Sequence, residues 1–327
     1  MKGLIKYIAL LLFVFGTTKG YGQQTIQFSQ YIFNGMAVNP AYAGYKDNVT
    51  LNLSSRMQWV GINGAPRTNT ISIDGLTNSE TKNVGLGLLA STDQLGPQST
   101  TSVYANYAYR IRFDANDTKR LCFGIAAGLL QYSIDASKFN ATDVSDGLLP
   151  TGDQSKLTPD FRVGVYYYSS SIYIGASVLS LIPGSPNNSS NAAIVTQIRH
   201  VYLTAGGIVP LSASLSLKPS IMIKEDFRGP TNVDLTTFLL MNKALWLGAS
   251  YRTGVPLLKT SNLQTGLDKT DAFAAMAEFY AGDSFRIGYA YDFSTSALIS
   301  KQSGSHELSL TYSFRPKKPR IISPRYF

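Results

Sequence analysis

This chain has very little of what most exported proteins use to hold themselves together. Cys122 is its only cysteine. An intrachain disulfide is therefore excluded, and stability must come from a packed core, from closure of a sheet, or from a membrane. Only two histidines are present, His200 and His306. No cluster of carboxylates stands near them to complete a zinc site. G-x-S-x-G, Walker A and dinucleotide fingerprints are all missing. The sole candidate for hydrolytic chemistry is His306 beside Glu307, with no activated nucleophile nearby. The expectation is a protein that is not an enzyme and that carries no cofactor or metal. Charged residues make up only 15% of the chain. Beyond the first residues, no apolar run approaches the length of a membrane-spanning helix.

The charge that exists is unevenly placed. The formal total is +9. Lys2, Lys6 and Lys19 lie in the first 22 residues, and Arg315, Lys317, Lys318, Arg320 and Arg325 lie at the other end. Without these eight the body is close to neutral, at about +1. The first residues read as a signal peptide. Lys2 and Lys6 precede the apolar "IALLLFVF" (8–15), and Gly20-Tyr21-Gly22 offers small residues for cleavage before Gln23. No cysteine stands near that cut, which argues against a lipoprotein.

What is abundant is aromatic residues, 20 Tyr and 16 Phe, and strict alternation. In "SHELSLTYSFR" (305–315), Leu308, Leu310, Tyr312 and Phe314 face one way, and Glu307, Ser309, Thr311 and Ser313 the other. Phe285, Ile287, Tyr289 and Tyr291 alternate in the same manner with Arg286, Gly288, Ala290 and Asp292. Fourteen such segments are predicted, at about 48–60, 68–76, 83–92, 100–113, 119–133, 158–169, 171–181, 197–209, 212–224, 231–240, 244–253, 272–281, 283–292 and 305–315. Connections after the even-numbered segments are short. Three after odd-numbered ones, 134–157, 182–196 and 254–271, are long and rich in Ser, Asn, Gly and Pro.

This pattern predicts an all-β fold, a closed antiparallel transmembrane β-barrel of about 14 strands with short periplasmic turns and long extracellular loops. An even strand count places both chain ends in the periplasm. The competing fold is a soluble secreted sandwich or propeller, in which the apolar faces would pair in a dry core. The predicted organisation is a signal peptide at 1–22, an N-terminal plug or docking segment at 23–47, the barrel at 48–315 and a basic periplasmic tail at 316–327. Lumen-facing charges include Arg56, Arg110, Arg112, Lys218, Arg252 and Arg286 with Asp160, Glu278 and Asp292. Their mixed signs fit a self-paired lumen better than a charge-selective pore.

Three stretches carry a family resemblance. They are "QFSQYIFNGMAVNPAYAG" (27–44), "SRMQWVGINGAPRTNTISIDG" (55–75) and "GSHELSLTYSF" (304–314), the last followed by a basic tail ending in "SPRYF". Together they resemble the PorP/SprF family of type IX secretion system membrane proteins. The resemblance implies an outer-membrane barrel acting in export or surface anchoring of a client surface protein such as a gliding adhesin. The implied partners are that client and periplasmic ring lipoproteins or peptidoglycan-associated proteins of the same system. The alternative function is a small-solute channel or hydrophobic-uptake porin.

The candidate plug or partner-contact residues are Tyr31, Phe33, Asn39, Pro40, Tyr42, Arg56, Trp59 and Pro66. Ser29 is expected to cap a short helix that presents Ile32, Phe33, Met36 and Ala37, with Asn39-Pro40 stopping it. Such an apolar segment has two places to go, the lumen or a periplasmic partner. Trp59 is expected near an interface, followed by a turn restricted by Gly61, Gly64 and Pro66 that either folds over the pore mouth or simply joins two strands. In the tail, Lys317, Lys318, Arg320 and Arg325 suit an acidic partner or anionic head groups.

Overall fold

In a computed structural model, the structure describes residues 26–77, 81–139, 152–182, 198–227, 229–242, 244–257, 270–282 and 284–314. The signal-peptide and basic-tail predictions, and most of the three long connections, lie outside these residues.

Period-two sequences become strands because alternate side chains leave opposite faces, and each strand then needs a neighbour for its backbone groups. The described strands are β1 (Val49–Met57), β2 (Arg67–Leu76), β3 (Val84–Leu95), β4 (Gln98–Arg112), β5 (Arg120–Ile134), β6 (Gln154–Tyr168), β7 (Ile172–Leu179) and β8 (His200–Gly207). They continue as the two-residue β9 (Val209–Pro210), β10 (Leu215–Glu225), β11 (Thr231–Met241), β12 (Leu245–Val255), β13 (Thr270–Ala281), β14 (Phe285–Ser294) and β15 (Ser305–Phe314). β8 and β9 both pair with β10 and form one stave interrupted at Ile208. Every stave pairs antiparallel with the next, and β15 closes on β1 through Val49↔Phe314 to Met57↔His306. The result is a closed barrel of 14 staves. All fourteen predicted segments are found, with ends displaced by a few residues.

The two faces are sorted opposite to those of a water-soluble protein. On β4, Val103, Tyr107, Tyr109 and Ile111 are exposed, while Ser102, Asn106 and Arg110 are buried. On β15, Leu308, Tyr312 and Phe314 are exposed, and Glu307, Ser309 and Thr311 are buried. A sandwich would have hidden those apolar faces. An apolar exterior around a polar interior is stable when lipid surrounds it, since closure leaves no unpaired strand edge in the hydrocarbon.

The period also separates the one pair considered for hydrolysis. Glu307 faces the interior, whereas His306 sits on the outer side, where its Nδ1 lies 2.7 Å from the Tyr289 hydroxyl. Adjacent strand residues cannot act on one substrate across the wall. Arg112, expected in the lumen, is exposed, because it is the last residue of β4 at the short-turn rim.

Strand lengths are unequal. β4, β5 and β6 have 15 residues each, while β7 and β8 have 8. The connections after β2, β4, β6, β9, β11 and β13 are short and define one mouth of the barrel. The opposite, loop-bearing mouth has a high wall on one side and a low wall beside it.

Candidate functional site

Before β1 the chain does not simply approach the barrel; it lies inside it. Two short helical turns form first, Tyr31–Phe33 (3-10) and Gly35–Val38 (one α-turn). Asn39 then leaves the helical region, and a further 3-10 turn spans Pro40–Tyr42. Asn39 Oδ1 accepts from the Ala41 amide at 2.9 Å, and Pro40 has no amide to satisfy. The expected stop at Asn39-Pro40 is thus present. Ser29 does not cap the helix. Its hydroxyl donates to Asp292 at 2.7 Å, a stronger acceptor than water in the low-dielectric interior.

The segment touches staves around the whole circumference. The Asn34 amide donates to Thr70 on β2, Gly44 N–H to Asp74 on β2, and Asn39 Nδ2 to the Val165 and Ala176 carbonyls on β6 and β7. Ser177 on β7 donates to the Val38 carbonyl at 2.6 Å. On the far side, Asn52 of β1 donates to the Phe33 carbonyl at 3.1 Å. Only a chain in the lumen can reach all of these.

One charged node holds the beginning of the segment. Arg56 lies 2.6 Å from Asp292 and 3.2 Å from Glu307, and all three are almost fully buried. The Ser29 and Gln30 amides donate to the Glu307 carboxylate at 2.7 and 3.2 Å. Arg56 also donates to the Ser29 hydroxyl at 2.8 Å. Arg252 joins through Asp234 at 3.0 Å and Asp292 at 3.7 Å. A buried ion pair is tolerable only when its hydrogen-bonding capacity is largely met, and here the segment's own amides supply donors to Glu307.

Further along, the Phe33 ring meets Phe238 and Trp246 edge-on, with centroids 5.2 and 5.8 Å away. The Arg286 guanidinium stands 4.4 Å from its centroid and Lys218 Nζ 5.2 Å. Both basic side chains thus stand within reach of one aromatic ring. Tyr42 and Tyr45 pack among Tyr166, Tyr168 and Tyr173. At the end of the segment, Asp47 accepts from Arg110 at 3.1 Å and from Lys82 at 2.8 Å. Burial pushes the half-buried Lys46 ammonium down to about 7; Arg286 adds to the shift, and Asp74 and Glu278 oppose it.

The wall is shaped for this occupant. A Cβ on Gly124 would stand 2.1 Å from the Ala41 nitrogen, one on Gly164 2.1 Å from Asn39 Oδ1, and one on Gly85 2.0 Å from the Ala43 carbonyl oxygen. These inward glycines let backbone approach backbone. A cavity of 40 Å³ beside Ile26–Phe28, bordered by Arg162 and Ser180, has room for a few waters.

The segment threads from the loop-bearing mouth to the short-turn mouth. Ser29 is level with Arg56, Asp292 and Glu307, near the loop-bearing mouth. Asp47 is level with Arg110 and Lys82, near the short-turn mouth. An even stave count does put Val49 and Phe314 at one mouth. The described chain nevertheless starts at the other, because the residues before β1 double back through the lumen.

Of the residues singled out from the sequence, Tyr31, Phe33, Asn39, Pro40 and Tyr42 are buried in the lumen, and Arg56 meets them through Ser29. Trp59 and Pro66 lie apart, on the rim. There the Trp59 amide donates to Ser305 Oγ at 3.1 Å, Val60 N–H to the Gly304 carbonyl at 2.9 Å, and Gly96 N–H to the Gly64 carbonyl at 2.8 Å. The connection is a brace between neighbouring loops. Ser29, Gln30, Asp234 and Glu307 were not singled out as site residues. Their inward position in the alternation, and the glycines on the same face, were the available signals.

A closed antiparallel barrel with an apolar outer band and a polar interior is an outer-membrane β-barrel protein. The chain belongs to the PorP/SprF family of type IX secretion system membrane proteins, whose profile matches residues 20–312. No curated protein matches the sequence. Among solved structures, the CymD monoaromatic hydrocarbon channel is similar at 11% identity, with TM-score 0.48, over 88% of this chain and 94% of that one. A Pseudomonas aeruginosa FadL homologue is similar at 12% identity, with TM-score 0.45, over 85% and 93%. The Acinetobacter baumannii outer membrane protein Omp33 is similar at 9% identity, with TM-score 0.44, over 82% and 100%.

Proposed function

We propose that this barrel works in type IX secretion by holding or helping to export a client surface protein through protein–protein contacts, with its lumen plugged by residues 23–47. The observation that carries this reading is the segment Ile26–Tyr45, packed inside the staves and tied to Arg56, Asp292 and Glu307. A lumen filled in this way leaves the rim and loops as the working surface. In this reading the short turns and the C-terminal end face the periplasm. The long connections and the beginning of the mature chain face outward, toward the client. Lys317, Lys318, Arg320 and Arg325 then meet an acidic periplasmic partner, such as a ring lipoprotein, or anionic head groups.

Planar-bilayer conductance separates this from a small-solute channel. The intact protein is expected to be closed, and a variant lacking residues 23–47 to conduct. A steady open pore in the intact protein would favour the channel. Affinity purification from native outer membranes is expected to recover a large secreted surface protein or periplasmic components of the system. Recovery of neither counts against the anchoring role.

A further inference from the structure

We infer that the outer wall formed by β15, β1, β2 and β3 carries a binding site for a phosphorylated acyl lipid of the surrounding bilayer. The site faces the leaflet at the loop-bearing mouth and is separate from the client contacts proposed above.

A groove of 380 Å³ crosses this part of the outer face. Leu53 on β1, Ile71 on β2 and Leu308 on β15 form its apolar sides. It exists because the outward residues among them, Ser55 and Ala90, are small. Closure of the barrel completes it, since Ser55 stands opposite Leu308 on one side and Asn69 on the other. These strands, and the connections 58–66 and 295–304 above them, all fall within the described residues.

Two polar side chains stand inside this apolar face. The Ser55 hydroxyl donates to Asn69 Oδ1 at 2.8 Å. Asn69 Nδ2 has no acceptor among the described residues, and hydrocarbon offers it none. The ester or amide carbonyl at the head of an acyl chain supplies one, while the chain itself fills the groove.

A cation stands just above. Arg67 lies on the same face of β2 as Asn69, two residues nearer the loop-bearing mouth, or roughly 7 Å along the strand. It is exposed and forms no ion pair among the described residues. Its height fits a head group. The apolar exterior begins at the short-turn rim with exposed Val49 and Phe314. Arg67 and Leu76 are the two ends of β2. At roughly 2.5 Å of height per tilted residue, Arg67 stands about 23 Å above that rim, near the top of a band roughly 25 Å tall. Nearby on β14 and β15, His306 Nδ1 lies 2.7 Å from the Tyr289 hydroxyl and its ring 5.0 Å from that of Tyr291. Amphipathic rings of this kind gather at the head-group level. Cation, amide and groove thus follow one another in the order of a lipid's phosphate, carbonyl and chain. A second barrel would instead set an apolar wall against Arg67 and Asn69.

The test is native mass spectrometry of the full-length barrel in neutral detergent with dioleoyl phosphatidic acid, or with dioleoylglycerol, which has the same chains and no phosphate. One phosphatidic acid is expected to stay bound, at least about tenfold more often than dioleoylglycerol. Arg67→Gln should lower that adduct about tenfold, the loss of one charge-assisted contact. Ala90→Phe fills the groove and should abolish it. Arg112→Gln removes an exposed cation from the short-turn rim and should leave it unchanged. Every variant should keep its heat-modifiable migration on gels. Equal binding of the two lipids, an adduct unchanged in Arg67→Gln or Ala90→Phe, or an equal loss in Arg112→Gln would overturn the inference. Full displacement by inorganic phosphate would overturn it too, by showing an anion contact without the chain. So would a dimer in place of the adduct that Ala90→Phe disrupts, which would give the groove to a second copy.

Discussion

The amide of Ser29 donates to the carboxylate of Glu307 at 2.7 Å, across 278 residues of sequence. This bond joins the beginning of the lumen segment to the last strand, the one that closes the barrel on β1. Closure of the wall and seating of the segment thus share one carboxylate.

Removing that carboxylate should loosen the segment first. Glu307→Ala strips two amides of their acceptor and leaves Arg56 with Asp292 alone. Breaking one side of a buried pair costs about 3–5 kcal/mol. Brief conductance openings absent from the parent protein are expected in planar bilayers. Glu307→Gln, which keeps an acceptor oxygen, should open less often.

At Phe33 the expected order of severity runs against hydrophobic intuition. Phe33→Ala removes a ring packed on Phe238 and Trp246, a loss of about 3–5 kcal/mol in a buried site. It also removes the aromatic ring that Arg286 and Lys218 both contact. Phe33→Asp places a carboxylate within reach of both basic groups and should be the milder change. Limited proteolysis of the segment in the purified barrel reads the order, and greater cleavage in the Asp variant would refute it.

The inward glycines should matter only because of what they touch. Gly124→Ala sets a methyl carbon 2.1 Å from the Ala41 nitrogen. It should lower the thermal unfolding midpoint in detergent, whereas Ala127→Val, on the outer face of the same strand, should not. In a variant lacking residues 23–47, Gly124→Ala should become nearly neutral, the non-additivity expected of direct contact.

Lys46 predicts a pH dependence. Its value is depressed to about 7 from the ordinary 10.5. Below about 7 both the seated and the released states carry the proton, so the cost of burying the charge is fully present. Between the two values the released state holds the proton more often, so seating grows more favourable as pH rises. Residual conductance should therefore fall from neutral to alkaline pH. Lys46→Met should flatten that profile, and an unchanged slope in this variant would remove Lys46 as the cause.

The sequence showed the staves well because a strand in a membrane wall obeys a local rule. "SHELSLTYSF" needs only lipid outside and polar surroundings inside to set its two faces, and each stave repeats the demand. The segment "QYIFNGMAVNPAYAG" was legible as apolar and as stopping at Asn39-Pro40, for the same local reasons. Its partners were not legible. Ser29 read as a helix cap because the nearest partners in sequence are backbone N–H donors that its hydroxyl oxygen would accept from, whereas its hydroxyl donates instead to Asp292, 263 residues away. Trp59 and Pro66 read as site residues because they stand beside Arg56 in the chain, yet the turn carries them to the rim.

What the sequence by itself determined is the periodicity, hence the strands, their number and the apolar outer face. All of these follow from side-chain direction and backbone pairing between neighbours. Only the tertiary structure decided that the lumen is occupied, that the segment runs from the loop-bearing mouth to the short-turn mouth, and that β6 outruns β7. Those features depend on which distant carboxylates, glycines and strand ends closure brings together, and no local rule encodes that.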